Sequence, residues 1–282
     1  MLNGKTISVV LPARNEALVL PSLIPKLRPL ADEIIIVDNC STDDTAAIAT
    51  NLGCLVVTET RQDRQRIGYG FAHRRGIRLA TGDYIVSMDA DGTYPIEQIP
   101  GAINYLERKR LDFVSCARFP LRREHAISSV RQFGVALLNL EVLLLYWYPI
   151  KDILSGMWVV RRPVAQAMDF SQGGWNFSPE VKLEALTNPF IRFGEWHIDH
   201  KTRKGESKQQ LFLTGLNHAL YIFWRRLTVD NPLLLLFTNL VDYLALGIFI
   251  VRQRRWPTWL GRDKKSNCLD SCPTCDQTQE KK

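Results

Sequence analysis

Behind Met1-Leu2-Asn3-Gly4-Lys5 the 282-residue chain has no signal-type apolar segment but a β-branched run, so a cytoplasmic placement of its folded part is expected. Its five histidines, His73, His125, His197, His200 and His218, show no ligand spacing, which removes a histidine-built metal motif. Cysteine is sparse: Cys40, Cys54 and Cys116 fall in or beside expected strands and read as buried thiols. Cys268, Cys272 and Cys275 sit in a polar tail and are one ligand short of a closed zinc site unless a partner supplies it; lipidation and no role at all are equal readings. Cations do not interleave with aromatics along the chain, which argues against nucleic-acid binding. The formal charge of +7 alone would fit nucleic acid, an anionic membrane or a polyphosphate ligand equally well. With 46% apolar and 23% charged residues the chain is not disordered, and one α/β domain with an appendage is the expected count.

What is present centres on Ile85-Val86-Ser87-Met88-Asp89-Ala90-Asp91-Gly92-Thr93, an apolar run ending in two carboxylates one residue apart. In an open α/β sheet ligands bind outside the carboxyl ends of the strands, so acids there are candidate site residues. Extended backbone has period 2, which points Asp89 and Asp91 the same way. Two hard oxygen ligands suit Mg2+ or Mn2+, and such an ion with spare positions suits a diphosphate. The competing reading is a plain turn, since Asp and Gly favour turns.

Strands are expected at residues 6–11, 33–37, 54–58, 83–88 and 112–117, from short β-branched runs bounded by turn residues. Between them lie a helix over 18–30 broken by Pro21, Pro25 and Pro29, a helix opened by the hydroxyls and carboxylates of 39–44, and one running to Ala80. A fourth helix spans 96–110, with Pro95 at its first position. Arg61, Arg64 and Arg66 precede Gly68 and Gly70 in a candidate anion-facing loop. Alternating strands and helices predict a mostly parallel sheet with helices on both faces.

Four motifs, Val10-Leu11-Pro12-Ala13-Arg14-Asn15-Glu16, Ile36-Val37-Asp38-Asn39-Cys40-Ser41-Thr42-Asp43, Gly82-Asp83-Tyr84 and Met88-Asp89-Ala90-Asp91-Gly92, occur in the order and spacing of family 2 glycosyltransferases of GT-A fold, which the chain resembles. Asp152-Ile153-Leu154-Ser155-Gly156-Met157, then Arg161-Arg162, and Arg203-Lys204-Gly205-Glu206-Ser207-Lys208 resemble the dolichol-phosphate mannosyltransferase-like branch. The resemblance implies that Pro12, Glu16, Asp38 and Asp89 bind the nucleotide sugar, and that Asp89 and Asp91 bind Mg2+ or Mn2+. An amide often completes that metal site two residues on; here the position is Thr93, with Gln98 further along. Arg203 and Lys208 match a basic pair closing over the diphosphate, and Arg118 and Arg131 match positions near an acceptor phosphate. Asp152 resembles the acid beside the acceptor in inverting members, and would be the base if the acceptor were a hydroxyl. Glu180 is a candidate lining residue of the sugar pocket.

Residues 135–148 are apolar, carry Glu141 and are too short to span a bilayer. Residues 232–251 are long enough but contain Asn239 and Asp242, and they have basic residues on both flanks. Lying in the interface or re-entering it, with Trp256 and Trp259 at headgroup level, is preferred over spanning. The expected division is a GT-A catalytic domain over 1–227, a membrane-associated helix over 228–255 and a Cys-containing tail over 256–282. The expected function is metal-dependent, inverting transfer of a sugar from a nucleotide donor to a polyprenyl phosphate at the membrane surface. Transfer to a glycan hydroxyl and a non-catalytic nucleotide-sugar scaffold are the alternatives.

Overall fold

The computed structural model describes residues 4–121, 127–201 and 210–229, and there the apolar runs of the N-terminal half become neighbours in one sheet. The strands β1 (Ile7–Ala13), β2 (Glu33–Asp38), β3 (Leu55–Thr58), β4 (Tyr84–Ser87) and β5 (Phe113–Ala117) lie within two residues of expectation. Two further strands, β6 (Trp158–Arg161) and β7 (Phe193–His197), were not among the expected ones. The order is β3-β2-β1-β4-β6-β5-β7; β6 runs antiparallel between β4 and β5, and the other pairings are parallel.

The period of 2 divides each strand between two cores. Val9, Leu11, Ile34 and Ile36 face one cluster, while Val10, Ile35 and Val37 face the other. Burial on both faces explains why these strands read as continuous apolar runs rather than alternating ones. The helices are α1 (Leu20–Leu27), α2 (Thr45–Asn51), α3 (Tyr69–Leu79), α4 (Ile99–Arg108), α5 (Ser129–Tyr146), α6 (Arg162–Ala167), α7 (Phe177–Thr187) and α8 (Leu211–Thr228). α1 and α4 cover the first face, with α2 at its margin, and α3, α6 and α7 cover the second.

Local chemistry accounts for the boundaries. β1 runs through Pro12 instead of stopping before it, because pairing with β4 ends at Val10. The carbonyl of Val10 points to the β4 side and that of Ala13 to the β2 side, so Pro12 lacks its N–H where there is no partner to receive one. The proline-broken helix is α1 followed by a 3-10 turn (Arg28–Leu30). The fourth helix starts later than expected: Pro95 leads into a 3-10 turn (Ile96–Gln98), and α4 begins at Ile99 with Pro100 in its first turn.

Two expectations need correction. The apolar stretch 135–148 belongs to a helix starting at Ser129, and α5, 18 residues long, is long and apolar enough to cross a membrane. Cys116 is buried as expected, but Cys40 and Cys54 are only half-buried, because they lie in the loop after β2 and at the entry to β3 rather than inside strands. Arg203, Lys208, His125, the stretch 232–251, Trp256, Trp259 and Cys268, Cys272 and Cys275 lie outside the described residues.

Candidate active site

The carboxyl ends of β1, β2 and β4 gather the acids. Asp89 stands two residues beyond the end of β4, held by the Tyr69 hydroxyl, which donates to its Oδ1 at 2.9 Å. Asp91 is buried, and its Oδ1 accepts from the Thr93 amide (3.1 Å) and hydroxyl (2.6 Å). Gly92 takes φ 73°, the left-handed conformation that lets this tight turn form without a Cβ penalty. Thr93 therefore orients Asp91 through both its amide and its hydroxyl. Gln98 is engaged elsewhere, donating from Nε2 to Asp199 at 3.1 Å.

The wall behind Asp89 is the turn after Asp152. A Cβ on Gly156 would sit 2.9 Å from both Asp89 oxygens, so only glycine allows this approach. The Gly156 amide donates to the Tyr94 hydroxyl at 2.6 Å, which fixes the turn against the acids. Burial, with the carboxylates of Asp89 and Asp152 nearby, keeps Tyr94 protonated, its pKa pushed up despite the Arg118 cation.

His200 is the residue that spacing did not reveal. The Lys201 amide donates to the Thr93 carbonyl at 2.8 Å, which brings the segment after β7 onto the Asp91 turn. There the His200 ring meets Tyr94 edge-on at 5.2 Å, and its buried Nδ1 has no partner among the described residues. Burial and the Arg118 cation push its pKa down to about 4 against the pull of Asp91 and Asp152, so the imidazole is neutral, the form in which histidine binds metal. No local signal marks it, since Tyr94 and Asp91 are more than a hundred residues away in sequence. Among the described residues no three His, Cys, Asp or Glu side chains close into a metal cage.

Between β1 and β2 the loops knit together. The Glu16 amide donates to Thr45 Oγ1 at 2.8 Å, the Thr42 amide to Asn15 Oδ1 at 2.8 Å, and the Ser41 amide to Asp38 Oδ2 at 3.3 Å. Asp38 is buried, yet its Oδ1 has no hydrogen-bond partner among the described residues. An orphaned buried acceptor is costly unless something donates to it, and a base N–H or a ribose hydroxyl would do so. The glycine pair has a packing explanation: a Cβ on Gly68 would lie 2.5 Å from the Arg61 carbonyl oxygen and one on Gly70 2.3 Å from that of Gln172.

Asp152 and Arg118 form one unit. The Arg118 Nε and amide donate to Asp152 Oδ2 (2.7 and 3.0 Å), and a terminal guanidinium nitrogen to Oδ1 (2.9 Å). Asp152 has no exposed surface. Burial alone would raise its pKa, but the Arg118 charge and hydrogen bonds hold the carboxyl below the usual range. Glu195 supports the loop by accepting from the Lys151 and Asp152 amides. Beneath the site lies Lys182, fully buried, its ammonium donating to the carbonyls of Ser155 (2.5 Å) and Ser178 (2.9 Å). Burial pushes its pKa down to about 7 despite the nearby Asp152 charge.

The structure thus brings Asp89, Asp91, Asp152 and Arg118 together around Tyr94 and Gly156, with Asp38 at the carboxyl end of the neighbouring β2 and Glu16 in the loop after β1. Glu180 is spent differently: its Oε1 accepts from the Ser171 amide and hydroxyl and its Oε2 from the Gln172 amide, so it braces the loop before Gly173-Gly174-Trp175. In that loop the buried Trp175 Nε1 has no partner among the described residues. Arg131 lies in the first turn of α5, across residues 122–126 from Arg118.

The family model described as "Glycosyl transferase family 2" matches residues 8–168. The chain is 28% identical over 231 residues to a low-salt glycan biosynthesis hexosyltransferase, Agl6, of Haloferax volcanii, an alignment covering 77% of this chain but only 53% of that protein, so it spans about half of that relative's length. It is 26% identical over 215 residues to a dolichyl-phosphate hexose transferase of the same organism, covering 74% and 89% of the two chains. The fold is similar to that of Mycobacterium tuberculosis glucosyl-3-phosphoglycerate synthase, solved with Mn2+, UDP and glucosyl-3-phosphoglycerate: TM-score 0.62, 23% identity, covering 79% and 80% of the chains.

Proposed function

The chain belongs to glycosyl transferase family 2, and from that premise we propose that it transfers a sugar from a nucleotide donor to a polyprenyl phosphate, with inversion and with a divalent ion. The observation that carries the acceptor is the buried Arg118–Asp152 pair. A hydroxyl acceptor must lose a proton to a positioned base, and the acid beside the site is locked in a bidentate pair with its pKa held low. A phosphate oxygen is already anionic near neutral pH and needs no base. Arg118 spends two of its guanidinium N–H donors on Asp152 and keeps others for an anion. The dolichyl-phosphate hexose transferase among the relatives supports the same reading.

The residues fit a hard ion. Asp89 and Asp91 supply carboxylate oxygens, two hard donors that suit a small divalent ion and leave its other positions to a diphosphate, and neutral His200 is close enough to Asp91 to feel its charge. When bound, the ion would neutralise charge growing on the leaving diphosphate. The protein's own work is to hold that geometry: Tyr69 and Thr93 orient the two acids, Gly156 and Tyr94 set the wall behind them, and Asp38 Oδ1 receives a donor from the nucleoside. Arg203 and Lys208 are assigned to the diphosphate on sequence alone. Lys201, anchored to Thr93 and paired with Glu97, starts their segment next to the acids.

The test supplies full-length protein in vesicles with a panel of nucleotide sugars and either polyprenyl phosphate or the corresponding polyprenol, and weighs the lipids. A hexose added to the phosphate and not to the alcohol is the expected result. Transfer only to an alcohol or a soluble glycan would restore Asp152 as a base and overturn the acceptor assignment.

A further inference from the structure

α7 is buried nearly all round, at Phe177 and from Pro179 through Ala185. A helix without a solvent face needs no ionisable residues for solubility, yet Glu180, Lys182 and Glu184 are all buried in it, and each has to be accounted for by a contact. Glu180 braces the loop before Gly173, and Glu184 pairs with Arg225 of α8 at 2.7 Å. Lys182 holds two carbonyls: that of Ser178, four residues back in its own helix, at 2.9 Å, and that of Ser155, outside the helix, at 2.5 Å.

Ser155 immediately precedes Gly156. The Lys182 ammonium therefore bolts α7 to the turn behind Asp89, where the Gly156 amide meets the Tyr94 hydroxyl at 2.6 Å and a Cβ would lie 2.9 Å from either Asp89 oxygen. A shift of the Ser155 carbonyl would move that wall. The turn has other ties, since Asp152 is paired with Arg118 and the Ser155 hydroxyl donates to the Cys116 carbonyl at 2.5 Å. Loss of the ammonium would thus release one carbonyl without unfolding the turn.

We propose that Lys182 is a positioning residue of sugar transfer: by holding the Ser155 carbonyl, its ammonium sets the Gly156 wall at the distance from Asp89 and Tyr94 at which the nucleotide sugar is cleaved. The inference rests on the reading that the donor diphosphate and its ion lie at Asp89 and Asp91, and not on the choice of acceptor. A neutral donor would be less costly to bury, but an ammonium makes both bonds charge-assisted and so fixes the carbonyl more firmly.

Burial pushes the Lys182 pKa down to about 7; Asp152, Asp89 and Glu195 pull it upward and Arg118 opposes them. His73 of α3, Cys116 of β5 and His218 of α8 also feel the ammonium, and burial keeps all three uncharged near neutrality, the histidines at about 3 and the thiol at about 12. The proton lost near neutrality beneath this turn is therefore that of Lys182. Its loss weakens the hold on Ser155, because the bond is then no longer charge-assisted.

Full-length protein in vesicles would be given UDP- and GDP-hexoses with Mn2+ and the acceptor it uses, and nucleoside diphosphate release followed per folded molecule. For Lys182→Met the expected kcat is about tenfold to a hundredfold lower, the range for a reacting centre displaced by about 1 Å. Donor KM should change less than about threefold, because the nucleoside is held at Asp38 and the lost interaction acts on the chemical step. In native protein kcat should fall as pH rises from about 7 to about 9 while the melting temperature rises, since the folded state holds this proton less tightly than the unfolded chain. A lysine with a structural role alone would leave kcat level over that interval, and the variant should show neither slope. Native kcat per folded molecule in Lys182→Met would overturn the proposal. So would a level native kcat over the same interval, a result that decides alone if the variant does not fold. Release with an alcohol as acceptor in place of a phosphate would sink the acceptor reading and leave the comparison of native and variant protein intact.

Discussion

Replacing Arg118 by Met would leave the Asp152 carboxylate fully buried with only the residue-118 amide donating to it. Methionine keeps much of the arginine stem's volume, so the loss is one of charge and two hydrogen bonds rather than of packing. Breaking a buried ion pair by removing one partner costs about 3–5 kcal/mol, because the remaining charge is uncompensated. For a domain of this size that is a fall of roughly 6–20 °C in the melting temperature.

The pH dependence distinguishes this cause from general disruption. In the native protein the Asp152 pKa lies below its ordinary value, so the pair's contribution is complete above that value and is lost as pH falls through the lowered pKa. In the variant burial prevails and the pKa rises above the ordinary value, so acid protonates the orphaned carboxylate and relieves it. The gap in melting temperature between native and variant protein should therefore narrow between about pH 7.5 and about pH 5. Adding Asp152→Asn should recover about 1–3 kcal/mol of the penalty, a coupling that thermal melts of the full cycle would measure. A gap that stays constant with pH, or a double variant as unstable as the sum of the singles, would refute the ion-pair account.

Asp91→Asn should abolish divalent-dependent turnover with an unchanged melting curve, because it removes a ligand charge and almost no volume; normal metal dependence would dispose of the site. His200→Ala should raise the Mn2+ concentration needed for half-maximal rate by about tenfold to a hundredfold, the effect of losing one ligand or its support, whereas an unchanged titration would return His200 to the bland core. Lys182→Met should flatten the stability profile: with a folded pKa of about 7 against an unfolded value near about 10.4, the native protein gains stability as pH rises through that interval, and the variant should not. Arg203→Ala and Lys208→Ala should each lower turnover about tenfold to a hundredfold through the diphosphate; collapse of thermal stability with unchanged activity per folded molecule would make that loop structural.

How much of this was legible follows from the range of each interaction. β1 to β5 announce themselves because strands buried on both faces must be continuously apolar, and a run such as Glu33-Ile34-Ile35-Ile36-Val37 has no other use. β6 and β7 were missed for opposite reasons. Trp158-Val159-Val160-Arg161 is short and merges into α6, while Phe193-Gly194-Glu195-Trp196-His197 is polar enough to pass for a loop. Its Glu195 is spent on two backbone amides and its Gly194 makes room for Leu111, needs that exist only once the sheet is built.

The site divides along the same line. Asp89, Asp91 and Asp38 were readable because a carboxylate at the end of an apolar strand has a local signature, and their supports, Tyr69 and Thr93, are visible only in three dimensions. His200 is the instructive case. It lies more than a hundred residues from Asp91 in sequence, so no spacing rule reaches it, and only the return of the chain after β7 sets its ring edge-on to Tyr94. A residue delivered in this way becomes legible only with the fold, in the segment that the last parallel strand returns to the carboxyl edge. Here that segment is 198–201, which follows β7, hydrogen-bonds Thr93 through Lys201 and carries the neutral imidazole with it.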